Sequence, residues 1–557
     1  MKVYALRVHA RVQPLIRSVL LAAMFLSSCQ IPTSIQSLYS TDPVIPRGGS
    51  VALALPDALT IVQPWSVTTR AAEVFVTLSQ SGLMRLDRTG TPQLELLDRY
   101  EASPAGTVIT ATLKADLQWS DTTPLTSADV VYTYQTLLAF TPSTPLLSEM
   151  RAIERVEATD ATTVVFSLSA PYAPLVSVWA LPILPMHAVG TQPIETLNLV
   201  SLTVGAGPFV FAEKDAAGLY HLRANPLYVR GAPYLDEIIV VPEQSADVTM
   251  RALSAGTVQI AELDRPWGAD KPASVTTARV VQNELMGLVF NVRTTQTFAD
   301  AALRRTMQAA TDFPAVIQEM SETTLIPVDT MSIINHPFAA SVPISRTNKI
   351  TSSLITAGWV WDSVRTQFVR EDEPLVIRLS VDQTNQTATR IGELLAQQWR
   401  DLGLSVELTP IDRQAYLNQF IPPFAYDVTL VTWANGRSSS VYADTFLYDG
   451  SSVALFDDAL INPGMPDIRA TLNLTGYGNP QLRALHNRAM RAYDFATRAS
   501  IEREAVQIAL EGASIIPFAR PTHTMAWQST IATPAGVLNL DTPWYLYGVE
   551  LWYRTVD

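Results

Sequence analysis

The sequence predicts an α/β protein of two lobes joined by a hinge. Period-two alternation and helical spacing follow one another along most of the chain. Ile377, Leu379 and Val381 alternate, Ile391, Leu395 and Leu402 mark a helix stopped by Gly403, and Leu404, Val406 and Leu408 form the next strand. That order is a βαβ unit with a right-handed crossover. After a helical stretch over 480–512, a strand pattern returns at 515–518. The second lobe is therefore inserted into the first, with two crossings near 285–292 and 512–520.

The elements of the first lobe follow in order. Gly48 and Gly49 precede alternation at Val51, Leu53 and Leu55, a strand with one buried face. Ile109, Ala111 and Leu113 give another. Thr126 starts a helix, with Asp129 placed to complete a capping box. Val130, Tyr134, Leu137 and Leu138 share one face of it. Val164, Phe166 and Leu168 alternate again. Residues 238–241 are continuously apolar, which predicts a central strand buried on both sides. In the second lobe, residues 285–292 read as a strand, and a helix carries Leu303, Met307 and Ala310 on one side.

Lys2, Arg7, Arg11 and Arg17 precede an apolar run over 19–26, shorter than the ~20 residues needed to span a bilayer. This is the pattern of a signal peptide. Cys29 is the only cysteine among 557 residues, so disulfides are excluded. Leu26, Ser27, Ser28 and Cys29 resemble the lipobox of bacterial lipoproteins, which predicts lipid attachment at Cys29. The other reading is ordinary secretory cleavage. Residues 30–47 read as a flexible tether. The net charge of −13 argues against nucleic-acid binding, which needs clustered Lys and Arg. With 48% hydrophobic and 16% charged residues, the body can bury a large core.

Several segments stand in the order of a known family. They are Trp119-Ser120-Asp121 through Pro124, Thr126, Asp129 and Val130; Val204-Gly205-Ala206-Gly207-Pro208-Phe209; Asn225-Pro226-Leu227-Tyr228 followed by Pro233-Tyr234-Leu235-Asp236; Phe290-Asn291 with Arg304 and Asp312; Ala357-Gly358-Trp359; and Tyr477-Gly478-Asn479-Pro480. The chain resembles the solute-binding proteins of peptide and nickel ABC importers. It departs at Thr122, where the family carries Gly. The resemblance implies a two-lobe periplasmic-binding-protein-like α/β fold with an extra subdomain. Lobe I is 48–95 with 205–287 and 515–557, the extra subdomain is 96–204, and lobe II is 288–514. It further implies a monomer outside the cytoplasmic membrane that hands a peptide or other small polar solute to permease subunits, held to the membrane by its N-terminal lipid.

The resemblance also places the solute between the lobes. The family's peptide binders anchor an amino group on an aspartate soon after a tryptophan. Here Tyr426 and Asp427 lead to Trp433, but Ala434, Asn435, Gly436 and Arg437 follow, with Asp444 as the next carboxylate. Trp433, Asn435, Gly436, Arg437 and Asp444 are the candidate solute contacts. Trp433 offers a stacking surface or a core side chain; Arg437 offers a fork for a carboxylate or a solvated charge. Asp427 caps or pairs structurally, and His187 has a structural role. The Gly205–Gly207 loop approaches either a ligand or another part of the protein closely.

No cofactor is expected. The six histidines show no metal-ligand spacing, so no metal site is expected either. An enzyme is the rival class, but there is no nucleophile elbow, no zinc-protease motif and no cysteine nucleophile in the mature body. A ligand sensor or an extracytoplasmic chaperone on the same fold stays open.

Overall fold

The computed structural model describes residues 45–63, 69–140, 150, 152–190, 192–242, 244–282, 284–293, 297–320, 325–328, 350–419, 424–434 and 475–555. Its main feature is a 12-stranded mixed sheet. The strands on its main path, in chain order, are β1 (Ser50–Ala54), β2 (Phe209–Lys214), β3 (Tyr220–Ala224), β4 (Glu237–Val241), β5 (Ile260–Leu263), β6 (Glu284–Phe290), β7 (Val376–Asp382), β8 (Ser405–Ile411), β9 (Val428–Ala434) and β10 (Ile515–Gln528). Across the sheet they run β8-β7-β9-β6-β10-β5-β1-β4-β3-β2. Packed helices include α1 (Arg70–Ser79), α2 (Ser127–Ala139), α3 (Ala246–Ala255), α4 (Gln386–Asp401), α5 (Pro480–Ala489) and α6 (Phe495–Glu511).

The 14-residue β10 is shared between two halves of the sheet. Its first residues, Ile515 to Ala519, pair antiparallel with β6, and its last, Thr524 to Trp527, pair with β5. A register shift between Met286 and Gly287 interrupts the β6 ladder, as expected of a bulge that turns a strand. Apolar clusters lie on either side. One joins Val51, Phe75, Trp119, Trp179 and Tyr545; another joins Leu288, Leu303, Trp359, Leu379 and Trp399. A four-stranded sheet of residues 97–102, 108–113, 153–158 and 163–168 stands apart from the main one.

The local readings have visible causes. Thr126 caps α2, and Asp129 returns a 2.9 Å bond from the Thr126 amide, completing the capping box. Val130, Tyr134 and Leu137 are buried, while Leu138 is half-buried against the same core. β7, α4 and β8 form the βαβ unit, with β7 and β8 parallel. Gly403, at φ +83°, ends its helix. Two readings need correction. Leu402 is exposed at the α4 end rather than part of its buried stripe. β4 is not buried equally on both faces: Ile238 and Val240 are buried, but Ile239 and Val241 are half-covered by the smaller cluster around α3. The helical stretch of 480–512 is two helices, separated before Asp494, which caps α6.

Candidate functional site

A cavity of about 950 Å³ opens along one face of α1. Helical spacing explains that face. Arg70, Glu73, Thr77 and Gln80 recur every three or four residues and line the cavity, while Ala71, Phe75 and Leu78 are buried in the core. The rest of the lining includes Glu262 to Asp264, Gln282, Glu284 and His523, with Pro543, Trp544, Leu546 and Tyr547. Glu284 and His523 sit on β6 and β10, the strands that cross the sheet's middle.

Arg70 organises the floor. Its guanidinium donates to Glu262 at 2.9 Å, Glu73 at 2.7 Å and the Pro543 carbonyl at 2.6 Å, and its amide donates to Asp57 at 2.9 Å. The Tyr545 hydroxyl donates to Glu262 at 2.8 Å. Burial works to raise the Glu262 carboxyl, but Arg70, His523 and the Tyr545 hydroxyl together hold it below its usual range. Arg85 is likewise occupied, by the Tyr228 hydroxyl and the Leu546 carbonyl, with Glu95 at 3.7 Å.

Three other lining residues carry one atom without a hydrogen bond, although Arg230 Nη1 stands 3.9 Å from Glu95 Oε2. Gln80 Oε1, Glu95 Oε2 and His523 Nε2 are buried without a hydrogen-bond partner. Burial lowers the His523 imidazole, keeping it neutral. Burial alone raises the Glu284 carboxyl, and neither a hydrogen bond nor an ion pair reaches it among the described residues.

The family-like segments build the support behind α1. Gly207 N donates to Ser79 O, Ser120 N donates to Gly205 O, and Asn225 Nδ2 donates to Gly207 O. A Cβ on Gly207 would lie 2.5 Å from Leu78 O, and one on Gly205 would lie 2.1 Å from Ser79 O. The close partner of this loop is thus the end of α1. His187 Nε2 meets Asp121 Oδ2 at 2.8 Å beside the Trp119 ring, a structural tie. Asp427 pairs with Arg378 at 3.2 Å.

The candidate contacts read from sequence fall at the cavity's margin or outside the described residues. The Trp433 backbone belongs to β9 and pairs with Leu285. The next pair is Ala434 with Glu284, so β9 ends beside the cavity wall. Asn435, Gly436, Arg437 and Asp444 lie outside the described residues, as does Cys29. Sequence reasoning missed Arg70, Glu262, Glu284, His523 and Tyr545. Only Arg70 and Glu73 gave a local signal, as charges three apart on an otherwise apolar helix. Among the described residues, no group of three or more His, Cys, Asp or Glu could hold a metal ion, and no helix is long and apolar enough to cross a membrane.

The chain is similar to known proteins in sequence and in fold. Residues 91–453 match the family model described as bacterial extracellular solute-binding proteins, family 5 Middle. Protein XP55 of Streptomyces lividans is 31% identical over 217 residues, covering 39% of this chain and 40% of that protein. The oligopeptide-binding protein AppA of Bacillus subtilis is 24% identical over 432 residues, 74% of this chain and 78% of AppA. AppA's structure with a nonapeptide superposes with a TM-score of 0.64 at 20% identity, covering 92% of this chain and all (100%) of AppA. HbpA2 of Haemophilus parasuis superposes at 0.72 and 18% identity, covering 91% of this chain and 100% of HbpA2. The mixed α/β fold is shared with these structures.

Proposed function

Since the chain belongs to the bacterial extracellular solute-binding proteins of family 5, we propose that it is a receptor that captures a peptide or other small polar solute and delivers it to the permease of an ABC importer. The observation that carries this reading is the α1 cavity, large enough for a small solute and lined with acidic, amide and hydroxyl side chains. AppA, a relative over most of its length, is an oligopeptide-binding protein.

In this reading lobe I (48–95, 205–287 and 515–557), with its subdomain 96–204, closes on lobe II (288–514) about β6 and β10. Trp433, Asn435, Gly436, Arg437 and Asp444 contribute from the second lobe. Closure is favoured only by contacts the solute makes better in the closed form. The lipid is carried by Cys29 and tethers a monomeric body outside the cytoplasmic membrane. Stable anchoring takes more than one acyl chain.

The test is to purify the protein natively, denature it and identify any released small molecule by mass spectrometry. One solute per chain is expected. A protein that releases nothing, and takes up nothing from a peptide mixture, contradicts the reading. Radiolabelled palmitate entering the wild type but not a Cys29→Ser variant tests the anchor separately.

A further inference from the structure

We propose that the face where the tether meets the body rests on the lipid surface. Val537, Leu551, Tyr553 and Tyr234 make its apolar and aromatic contacts, and Arg47 and Arg554 supply its cations. This rests on the acylation of Cys29 proposed above and adds which side of the body the lipid brings to the membrane.

A small three-stranded sheet builds this face. Its central strand, 531–533, pairs with 536–537 on one side and 553–554 on the other. Directly opposed residues point the same way, so Val537, Ala532 and Tyr553 form one row. Ile531, one position along, is buried in the cluster around Phe75 and Trp119, so alternation turns the row outward. Val537 is 82% exposed, and Leu551, two positions before Tyr553, is 41% exposed. The row continues through space. The Tyr553 ring lies 6.5 Å from the Tyr234 ring, and the Arg47 guanidinium lies 4.6 Å from the Tyr234 ring centre. Arg47 and Arg554 are both exposed, and among the described residues neither has an acidic partner. Asp236, the acid beside Gly48, already accepts from Gly49 N at 3.0 Å.

Chain length selects the occupant. Cys29 stands 18 positions before Arg47. An unstructured tether of that length averages about 25 Å from end to end. A compact body of roughly 500 residues is on the order of 60 Å across. The far side of the body is therefore held away from the bilayer, and the surface around Arg47 is held against it. So close a tether populates a contact too weak to hold a free protein. The composition fits the same occupant. Tyrosine rings, exposed aliphatic side chains and arginines are what a headgroup layer accepts. The chain carries a net charge of −13, so a surface drawn at random from it would be acidic, whereas this one presents two arginines.

The experiment exploits the single cysteine. With Cys29 acylated, a cysteine introduced elsewhere takes a fluorophore alone. Lipidated, full-length Val537→Cys is labelled and placed in vesicles of phosphatidylglycerol and phosphatidylcholine that carry a nitroxide-headgroup lipid as quencher. Leu551→Cys is a second reporter on the same face. Val364→Cys is the reference, because Val364 is 91% exposed in the proposed lobe II. Quenching at 537 and 551 should exceed that at 364 about threefold or more. It should fall about twofold or more when Arg47→Glu and Arg554→Glu are added. Equal quenching at all three sites, quenching unchanged by the two arginine substitutions, or shielding of 537 that appears only once a permease is added overturns the proposal. A wild type that joins vesicles with equal quenching at the three sites overturns this face alone. A wild type that fails to join vesicles overturns the acylation of Cys29, and this face with it.

Discussion

The Tyr493 hydroxyl donates to the carbonyl oxygen of Gly106 across 2.7 Å. The Tyr493 hydroxyl oxygen in turn accepts from Tyr172 N at 3.1 Å, and nearby Ala173 N donates to Met490 O at 2.8 Å. The turn between α5 and α6 is thereby tied to the 96–204 segment. In the proposed division these bonds run between lobe II and the subdomain of lobe I.

Tyr493→Phe should therefore weaken solute binding. The ring is kept, but the Gly106 carbonyl and the Tyr172 amide lose a partner, at a cost of about 1–3 kcal/mol. Affinity is expected to fall about fivefold or more, because the closed form becomes harder to populate. Calorimetry checks this; unchanged affinity would show that the contact is present with or without solute.

Thr122→Gly should stabilise the protein. Thr122 sits at φ +73° in the turn where Thr122 N bonds to Trp119 O. A β-branched residue there is strained by roughly 1–2 kcal/mol, which glycine relieves. The gain should be about 1 kcal/mol in denaturant unfolding, less than the full strain because glycine also loosens the unfolded chain.

Gly207→Ala should act in the opposite direction. The added carbon meets the Leu78 carbonyl at 2.5 Å, and backbone cannot move aside cheaply. A loss of about 1–3 kcal/mol is expected, with affinity per folded molecule nearly unchanged. Lost affinity with intact stability would instead place this loop against the solute.

Glu502 supplies a pH dependence. Burial pushes its carboxyl up to about 7, despite Arg498 pulling it down, and its Oε1 has no hydrogen-bond partner. A raised carboxyl keeps its proton better in the folded state, so its contribution is complete below the ordinary value near 4.5 and is lost as pH rises through about 7. That contribution amounts to about 3 kcal/mol at most. Glu502→Gln should thus raise the melting temperature relative to wild type more at pH 8 than at pH 5. An equal difference at both pH values would contradict the shift.

Much of the frame was legible because its causes are local. Thr126 and Asp129 are three residues apart, and the β7-α4-β8 unit ends its helix on one glycine. The two-sided burial expected of β4 was misread because the apolar run of 238–241 does not reveal how much α3 covers. Of the cavity, only Arg70 and Glu73 on α1 are close enough in sequence to leave a local pattern. Arg70 and Glu262 are 192 positions apart, and Glu262 and Tyr545 are 283 apart. No periodicity links such positions; the pairing of β5 with β1 and the later return of the chain through β10 bring them together.

The central claim is that a solute draws two halves of this body together. Small-angle scattering of the protein, emptied by denaturation and refolding and then saturated with the solute it released, tests that claim most directly. The account predicts a smaller radius of gyration on saturation, by rigid-body closure. An identical scattering curve at full occupancy would contradict it.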